Sequence, residues 1–275
     1  MFARVVVPVD GSSRSFDAVR AGSALAAAGG ARLEAVMVID WPADQLDEEA
    51  RLGEQLRGLD LPLEPIPVVL AGESAAATLA GYLAEGLPAQ VVMASTGRGR
   101  SAGVIGSVAE ELLAADVGPI VVLGPHAAAD RLLSGEAIVP LDGSHLSEQA
   151  LELAAAWCTA VGSRPWVVSV LPTTAGAQAD LDMSESVYVK RQAARLEEQL
   201  GRDVEYEVLH GGAPGPVIAD YADSTGAGVI LMTTHGRSGL RRMVMGSVAA
   251  DVIRQAPCPV LLGRPTARED AATTA

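Results

Sequence analysis

Short apolar runs rich in valine and isoleucine alternate along the chain with longer segments rich in alanine and leucine. The short β-branched runs predict strands, and the segments between them predict helices. Strands are expected near residues 3–9, 32–39, 64–70, 89–95, 119–123, 136–141, 165–171, 204–210, 228–234 and 258–263. Several of these runs, such as 229–232, are apolar at every position, which is typical of parallel strands that helices cover on both sides.

The second half of the chain repeats the first half. The segment VVVPVDGS at residues 5–12 matches AIVPLDGS at residues 137–144, an offset of 132 positions. Late in each half the sequence GSVA occurs, at residues 106–109 and again at residues 246–249, and each copy then ends in a similar apolar run. Self-similarity at a fixed offset indicates two copies of one domain in tandem.

The order of elements within each copy predicts an α/β fold. Strands that alternate with helices form parallel sheets, and the crossover helices cover both faces. We therefore expect two tandem copies of a five-stranded parallel doubly wound sheet with helices on both faces, for example at residues 15–28 and 147–160. The expected bounds are 1–126 for the first domain, 127–135 for a linker, 136–264 for the second domain and 265–275 for a flexible tail.

Charge and composition narrow the class of protein. The formal net charge is −14 and the isoelectric point is about 4.7, which disfavours binding to nucleic acid or anionic membranes because phosphate contacts require lysine and arginine. The sequence shows no signal peptide and no apolar run of membrane-spanning length, so we expect a cytoplasmic protein. Cys158 and Cys258 lack the spacing of a redox or zinc motif and are expected to be buried apolar residues.

The ends of the first strands carry the first candidate site residues. Pro8 and Pro140 cannot donate to a strand ladder and predict a gap in pairing or a bend there. Asp10 and Asp142 follow two residues later, beyond the carboxyl ends of the strands, where a carboxylate can accept hydrogen bonds from a ribose hydroxyl or a base amino group. The alternative is that Asp-Gly-Ser forms a turn that caps the next helix, and the two roles can coexist.

The glycine-rich loop after the fourth strand of the second copy is the other candidate. Gly236, Gly239 and Gly246 allow main-chain amides to turn inward, and Ser247 stands where the next helix begins. Such amides attract anions, so the loop predicts a phosphate site. Local positive charge comes from Arg237, Arg241 and Arg242. The alternative is that the glycines only make the turn, Ser247 caps the helix and the arginines are solvated.

With these motifs the chain resembles the universal stress protein family. The Pro-x-Asp-Gly-Ser strand end, the Gly-x2-Gly-x9-Gly-Ser loop and the closing Ala-Pro-Cys-Pro-Val-Leu-Leu strand recur in that family and cover both halves. The resemblance implies an ATP-binding crevice, with magnesium as a candidate companion of the nucleotide. In the second copy the implied contacts are Pro140, Asp142 and Val170 to adenosine, and Met232, Thr233, His235, Gly236, Gly246, Ser247 and Val248 to ribose and phosphates. In the first copy the corresponding residues are Pro8, Asp10, Val38, Met93, Gly97, Gly106, Ser107 and Val108.

Departures from the family loop predict unequal ATP binding by the two copies. Thr233 stands at the first glycine of the motif, and its Cβ narrows the approach to the ligand. In the first copy Ala94 stands there, and the spacing between the later glycines is one residue shorter. Residues 107–110 of this copy predict a capping box, which would place Glu110 and Glu111 near the phosphate. We therefore expect the second site to be the stronger.

The sequence shows no evident catalytic pair. Phosphoryl transfer needs positioned positive charge and a group that orients the attacking oxygen. His235 is the histidine of the expected pocket, and a hydrogen bond to the ligand, or loop packing, is favoured over a general-base role. We therefore expect a stress-response protein that binds ATP as a nucleotide-dependent sensor or regulator, with slow hydrolysis at most. The alternative is a protein-interaction module that binds no nucleotide.

The last strand of each copy is apolar and is expected to lie at the edge of its sheet, where an unprotected strand invites pairing. In the family such strands meet across a two-fold axis, so the resemblance implies a dimer fused within one chain. Further pairing into a homodimer through these strands stays open. The acidic run at residues 44–54 is expected to be the solvated face of a helix.

Overall fold

The computed structural model describes residues 2–97, 105–173, 178–236 and 245–265, with residues 178–182 described in backbone only. Four residues of the glycine-rich loop singled out above lie outside the described residues: Arg237, Gly239, Arg241 and Arg242. The predicted flexible tail also lies outside them, except for Pro265.

The elements fall into two units of similar order. The first unit contains β1 (Arg4–Pro8), α1 (Ser13–Gly29), β2 (Arg32–Ile39), α2 (Gln45–Arg57), β3 (Ile66–Ala71), α3 (Ala75–Glu85), β4 (Ala89–Ala94), α4 (Ser107–Ala114) and β5 (Ile120–Leu123). The second unit contains β6 (Glu136–Pro140), α5 (His145–Glu148), α6 (Ala150–Val161), β7 (Arg164–Leu171), α7 (Gln178–Leu200), β8 (Glu205–His210), α8 (Pro214–Ser224), β9 (Val229–Thr233), α9 (Ser247–Gln255) and β10 (Val260–Gly263). The predicted strands are confirmed, with each end shifted by no more than two residues.

The strands form one continuous sheet in the order β3-β2-β1-β4-β5-β10-β9-β6-β7-β8. All neighbours within a unit are parallel, which confirms the predicted doubly wound fold. The two units join through β5 and β10, which pair antiparallel with Val122 opposite Val260 and Ile120 opposite Leu262.

This junction confirms the pairing of terminal strands within one chain, but it corrects the expectation of two apolar sheet edges. β5 and β10 lie at the centre of the sheet and have neighbours on both sides, whereas β3 and β8 are its outer strands. A homodimer through β5 or β10 would therefore have to break this pairing.

Alternating side chains of each strand build a core on each face of the sheet. Along β1, Val5 and Val7 join one buried cluster and Val6 joins the other, because neighbouring side chains of a strand point to opposite faces. The first cluster contains residues of α1, α2, α6 and α7, and the second contains residues of α3, α4, α8 and α9. Each cluster runs across both units, so the helices cover both faces as predicted.

The segment between the units, predicted to be a linker at residues 127–135, packs against the first cluster. It contains a short 3-10 turn, Ala129–Arg131, and Leu132 is fully buried. Cys158 and Cys258 are both buried, as predicted. None of the helices in the described ranges combines the length and apolarity that crossing a membrane requires.

Candidate nucleotide site

Two cavities open at the carboxyl ends of the parallel strands, one in each unit. The first cavity, in the first unit, has a volume of about 590 Å³, and the second cavity, in the second unit, has a volume of about 370 Å³. All the site residues expected from the sequence line these two cavities, each in its own unit. The structure thus brings together, in each copy, the end of the first strand, the second strand and the loop after the fourth strand. The contact of these residues with a nucleotide stays a prediction.

The Asp-Gly-Ser turn both positions the aspartate and caps the next helix. Oδ1 of Asp142 accepts hydrogen bonds from the main-chain N–H of Ser144 at 3.0 Å and from its hydroxyl at 2.6 Å. The Ser144 hydroxyl in turn accepts from the N–H of Ser147 at 3.1 Å, which makes Ser144 the N-cap of α5. The helix therefore begins at His145, before the predicted start. Gly143 has a φ of 80°, a conformation that favours glycine at the centre of this turn.

The same turn occurs in the first unit with the same geometry. Oδ1 of Asp10 accepts from the N–H and hydroxyl of Ser12 at 3.0 and 2.6 Å, and Ser12 caps α1. The capping alternative is therefore confirmed in both units, and the two aspartates also line the cavities. Their second role, as acceptors for a ribose hydroxyl or a base amino group, stays a prediction.

The prolines at the ends of β1 and β6 do not end the pairing of these strands. Pro140 stays in register with Val168, and the next residue, Leu141, donates its N–H to the Val168 carbonyl at 2.8 Å. Pro8 and Val9 relate to Val36 in the same way. The predicted gap is thus limited to the donor that proline lacks.

The glycine that opens each loop packs directly on the aspartate. A Cβ at Gly236 would lie 2.2 Å from Oδ2 of Asp142, and a Cβ at Gly97 would lie 2.2 Å from Oδ2 of Asp10. Any side chain at either position would displace a carboxylate that its serine partner holds in place. Close approach, and not a left-handed backbone, therefore accounts for these glycines.

Each loop ends at a glycine that precedes a helix. Gly246 is the N-cap of α9, and Gly106 is the N-cap of α4, so no side chain of the cap residue covers the first N–H groups of either helix. The Gly246 N–H donates to the Thr234 carbonyl at 2.7 Å, which fixes the glycine against the end of β9. An N-terminus of this kind, at the wall of a cavity, attracts anions through its N–H groups and the helix dipole.

The capping box predicted at residues 107–110 is wrong, and so is the alternative in which Ser247 caps its helix, whereas the prediction that the helix begins at Ser247 is confirmed. Ser107 and Ser247 are the first helical residues of α4 and α9 and do not occupy the cap positions. A capping box needs the serine at the cap and the glutamate three residues later, so the shift of one residue places Glu110 too far along α4. Glu110 still lies in the first turn of α4, where its negative charge opposes an incoming phosphate.

Polar side chains at the end of β9 fix the start of the second loop. The Thr233 hydroxyl donates to the His235 carbonyl at 2.8 Å, and the Thr234 hydroxyl lies 3.1 Å from Nδ1 of His235. Thr234 is fully enclosed, so its contact orients the imidazole ring at the cavity wall. The substitution of threonine for the first glycine of the motif thus serves the internal structure of the loop.

Sequence reasoning missed four polar residues of the second cavity, Ser147, Thr234, Ser169 on β7 and Glu185 on α7, and the last two contact each other. The Ser169 hydroxyl donates to Oε1 of Glu185 at 2.5 Å. The available signal was the apolar stripe at Val189, Ala193 and Leu196, which has helical spacing and is buried against the sheet. Glu185 lies one turn before Val189 on the same side of α7.

In the first unit, Met37 holds the position that corresponds to Ser169. A glutamate also lines the first cavity, Glu48 of α2. The acidic run at residues 44–54 forms α2 with most of its charged side chains exposed, as predicted. Glu48 is only partly exposed, because it reaches the cavity and pairs with Arg51.

On the side of α7, several carboxylates make the electrostatic potential of the second cavity negative. Burial and the neighbouring Glu148 carboxylate raise the pKa of Tyr188 on α7, and the charges of Glu185 and Asp142 act in the same direction. The cavity therefore has carboxylates on the side of β6 and β7 and the N-terminus of α9 on the side of β9.

The described ranges contain no group of three or more histidine, cysteine, aspartate and glutamate side chains that could hold a metal ion. Magnesium that accompanies a nucleotide takes many of its ligands from phosphate oxygens and water. The described residues therefore fit magnesium only as an ion that a triphosphate would carry, and its presence stays a prediction.

Comparisons with known proteins agree with this architecture. A model of the universal stress protein family matches residues 1–123 and 136–264. A universal stress protein of Methanocaldococcus jannaschii is 28% identical over 142 residues, which are 48% of this chain and 83% of that protein. The crystal structure of a universal stress protein from Archaeoglobus fulgidus covers 96% of this chain and 97% of its own, with a TM-score of 0.58 at 21% identity. Another protein from Archaeoglobus fulgidus, solved in complex with dAMP, is 27% identical and covers 48% of this chain and 99% of its own, with a TM-score of 0.40.

Proposed function

The chain belongs to the universal stress protein family, and we propose that it binds ATP at the carboxyl ends of its strands and acts in the stress response as a nucleotide-dependent sensor or regulator. The observation that carries this proposal is the second cavity. It combines the N-terminus of α9, whose cap residue is a glycine, with the Asp142 carboxylate in one space of about 370 Å³.

Attraction of a phosphate in this chain has to be local, because the net charge is −14. The main-chain N–H groups of the first turn of α9 supply donors that need no charged side chain. The helix dipole adds about 0.3–1 kcal/mol for an anion near the surface and up to ~2 kcal/mol where the site is partly buried. Asp142 follows β6, which lies between β9 and β7 in the sheet, and its carboxylate is suited to accept a hydrogen bond from a ribose hydroxyl.

The second cavity is proposed as the stronger site. α4, which borders the first cavity, carries Glu110 in its first turn, whereas Ala250 holds that position in α9. The first cavity is also the larger one, so a nucleotide bound there would keep more water around it. Both differences favour the second unit.

Hydrolysis is proposed to be slow at most. Nδ1 of His235 is engaged with the Thr234 hydroxyl, so a general-base role would be left to Nε2 alone. Glu185 lies on the α7 side of the cavity and not beside α9, so it is poorly placed to orient a water at the terminal phosphate.

The decisive experiment is mass spectrometry of the protein as purified, followed by calorimetric titration of the stripped protein with ATP. We expect bound adenine nucleotide in the first measurement and ATP binding in the second. A protein that is empty as purified and also rejects added ATP would contradict the proposal.

A protein-interaction role is the second candidate, and exposed apolar side chains favour it. Trp41, between β2 and α2 of the first unit, and Leu46, in the first turn of α2, are 72% and 81% exposed. Large apolar side chains at such exposure are typical of surfaces that other proteins cover. If nucleotide binding fails, this surface is where a partner should be sought.

A further inference from the structure

Glu185 has no counterpart among the residues that the resemblance implied, yet it lines the second cavity. We propose that Glu185, positioned by Ser169, recognises the base of the bound nucleotide and selects a purine with an amino group at C6 over a purine with a carbonyl at C6. This inference rests on the proposed function, since it concerns the same cavity and the same ligand.

The order of the strands assigns one part of the nucleotide to each part of the cavity. β9, β6 and β7 are neighbours in that order; α9 follows β9, Asp142 follows β6 and Ser169 lies on β7. Adjacent strands are about 4.8 Å apart, so β7 lies about 10 Å from β9. A nucleotide whose phosphates meet α9 therefore places its ribose near Asp142 and its base near Ser169 and Glu185.

The glutamate is held in position by the fold. Ser169 is 2% exposed, and its hydroxyl donates to Oε1 of Glu185 at 2.5 Å. α7 is anchored to the sheet by Val189 and Leu196, which are fully buried. An ionised carboxylate offers about four acceptor positions, of which the serine occupies one.

An ionised carboxylate accepts hydrogen bonds and donates none. The amino group at C6 of adenine is a donor, so it would form a charge-assisted hydrogen bond with Glu185. The carbonyl at C6 of hypoxanthine or guanine is an acceptor and would face the negative charge of the same carboxylate. A carboxylate that faces position 6 therefore discriminates between the two purine types, by attraction to the amino group and repulsion of the carbonyl, whereas one that faced N1 would favour the N1–H group of hypoxanthine or guanine.

The first unit offers a matched control. Met37 holds the position of Ser169, so no hydroxyl orients the glutamate there. Glu48 lines the first cavity but pairs with Arg51 on its own helix, which offsets its charge. The first cavity should therefore select the C6 amino group weakly.

The test compares ATP with inosine triphosphate, in which a carbonyl replaces the C6 amino group. Calorimetric titrations of the full chain would use the wild type, Glu185→Gln and Glu48→Gln. We expect the wild type to bind ATP more tightly than inosine triphosphate. Glu185→Gln should lower this preference by about tenfold, because a glutamine side chain both donates and accepts. Glu48→Gln should leave the preference almost unchanged.

Each outcome decides the inference. If ATP binds and Glu185→Gln keeps the preference of the wild type, the inference is wrong while the proposed function stands. If the wild type binds neither nucleotide, both fall. A change in the ratio of ATP to deoxy-ATP, with no change in the ratio of ATP to inosine triphosphate, would place Glu185 at the ribose and overturn the assignment to the base.

A second variant covers the case in which Glu185→Gln fails to fold, as judged by circular dichroism. Ser169→Ala keeps the carboxylate but removes the hydroxyl that positions it, so the preference for ATP should also fall. A Ser169→Ala protein that binds ATP with the wild-type preference would overturn the inference.

Discussion

The two units keep the same backbone features around their cavities but place different side chains at corresponding positions. The Asp-Gly-Ser turns agree in both hydrogen-bond distances, and Gly97 and Gly236 approach their aspartates equally closely. Met37 and Ser169, in contrast, give the two cavities different polarity at the β2 and β7 strands. Turn geometry is thus the shared feature of the copies, while the chemistry of the cavity wall differs.

The opposite end of the sheet shows a second contrast. In the first unit, Nη1 of Arg4 lies 3.1 Å from Oε2 of Glu34, and both side chains are buried. The Tyr82 hydroxyl donates to the same carboxylate oxygen at 2.9 Å. In the second unit, the position of Glu34 is held by Trp166, whose ring meets Tyr221 edge-on at 6.2 Å. One copy uses a buried ion pair where the other uses an aromatic pair.

The largest expected effect comes from breaking the buried ion pair. Glu34→Ala leaves the Arg4 guanidinium buried without its counter-charge and removes the acceptor of Tyr82. We expect the free energy of unfolding to fall by about 3 kcal/mol, because an uncompensated buried charge is costly. Denaturant unfolding followed by circular dichroism would measure the loss.

The double variant Arg4→Met with Glu34→Leu is the control for this prediction. It removes both charges, so no buried charge is left without its counter-charge, and it should lose clearly less stability than Glu34→Ala. A double variant as unstable as the single one would show that shape, and not charge, determines stability at this site.

The next effect concerns the aspartates of the two cavities. Asp142→Ala should weaken ATP binding by about tenfold or more, because it removes a charged acceptor at the proposed ribose position. Asp10→Ala should weaken the total binding less, since the first cavity is proposed as the weaker site. Both variants lose the same cap contact, so the pair is matched in its structural cost. Equal losses in calorimetric titration would contradict the ranking of the sites.

Much of this frame could be predicted from the sequence, because local patterns determine it. The β-branched runs marked the strands, and the repeated Asp-Gly-Ser turns marked the ends of β1 and β6. The edges of the sheet could not be predicted in this way. The pairing of β5 with β10 joins residues that are far apart in the chain, and the apolar character of each strand fits an edge and a centre equally well.

The missed residues of the site have a similar physical explanation. Glu185 is a charged residue on a helix, and sequence alone gives no sign that the Ser169 hydroxyl donates a hydrogen bond to it. The capping box at residues 107–110 failed because Gly106 can itself serve as the cap, which moves Ser107 into the helix. The first case depends on tertiary position, and the second on which residue of the loop serves as the cap.

Alkaline pH should lower the stability of the second unit through its two buried thiols. Burial raises the pKa of Cys158 to about 11 and that of Cys258 to about 12, and both thiols belong to the second unit. Above about pH 9 the unfolded chain releases these protons while the folded chain keeps them, so the free energy of unfolding falls as pH rises. The loss should begin near pH 9 and reach about 1 kcal/mol for each thiol at pH 10.

Cys258→Ala tests this pH dependence directly. The variant should lose less stability than the wild type between pH 8 and pH 10, because the linked proton of Cys258 is absent. Denaturant unfolding at the two pH values, followed by tryptophan fluorescence in a Trp41→Phe background so that the signal comes from Trp157 and Trp166, would measure it. A pH dependence identical to that of the wild type would show that the thiol ionises equally in both states.

The smallest effect is expected when the first-turn residues of α4 and α9, the helices proposed to face the phosphates, are exchanged. Glu110→Ala removes a negative charge from the N-terminal turn of α4, and Ala250→Glu adds one at the corresponding position of α9. A charge there changes anion affinity by about 0.3–1 kcal/mol, so the first variant should strengthen ATP binding in the first cavity by about two- to fivefold and the second should weaken binding in the second cavity by a similar factor. Both changes should shrink as salt is raised, because Glu110 is exposed. Opposite shifts of this size in calorimetric titrations would show that the α4 and α9 N-termini face the phosphates, whereas two variants without effect on ATP affinity would place the phosphates elsewhere.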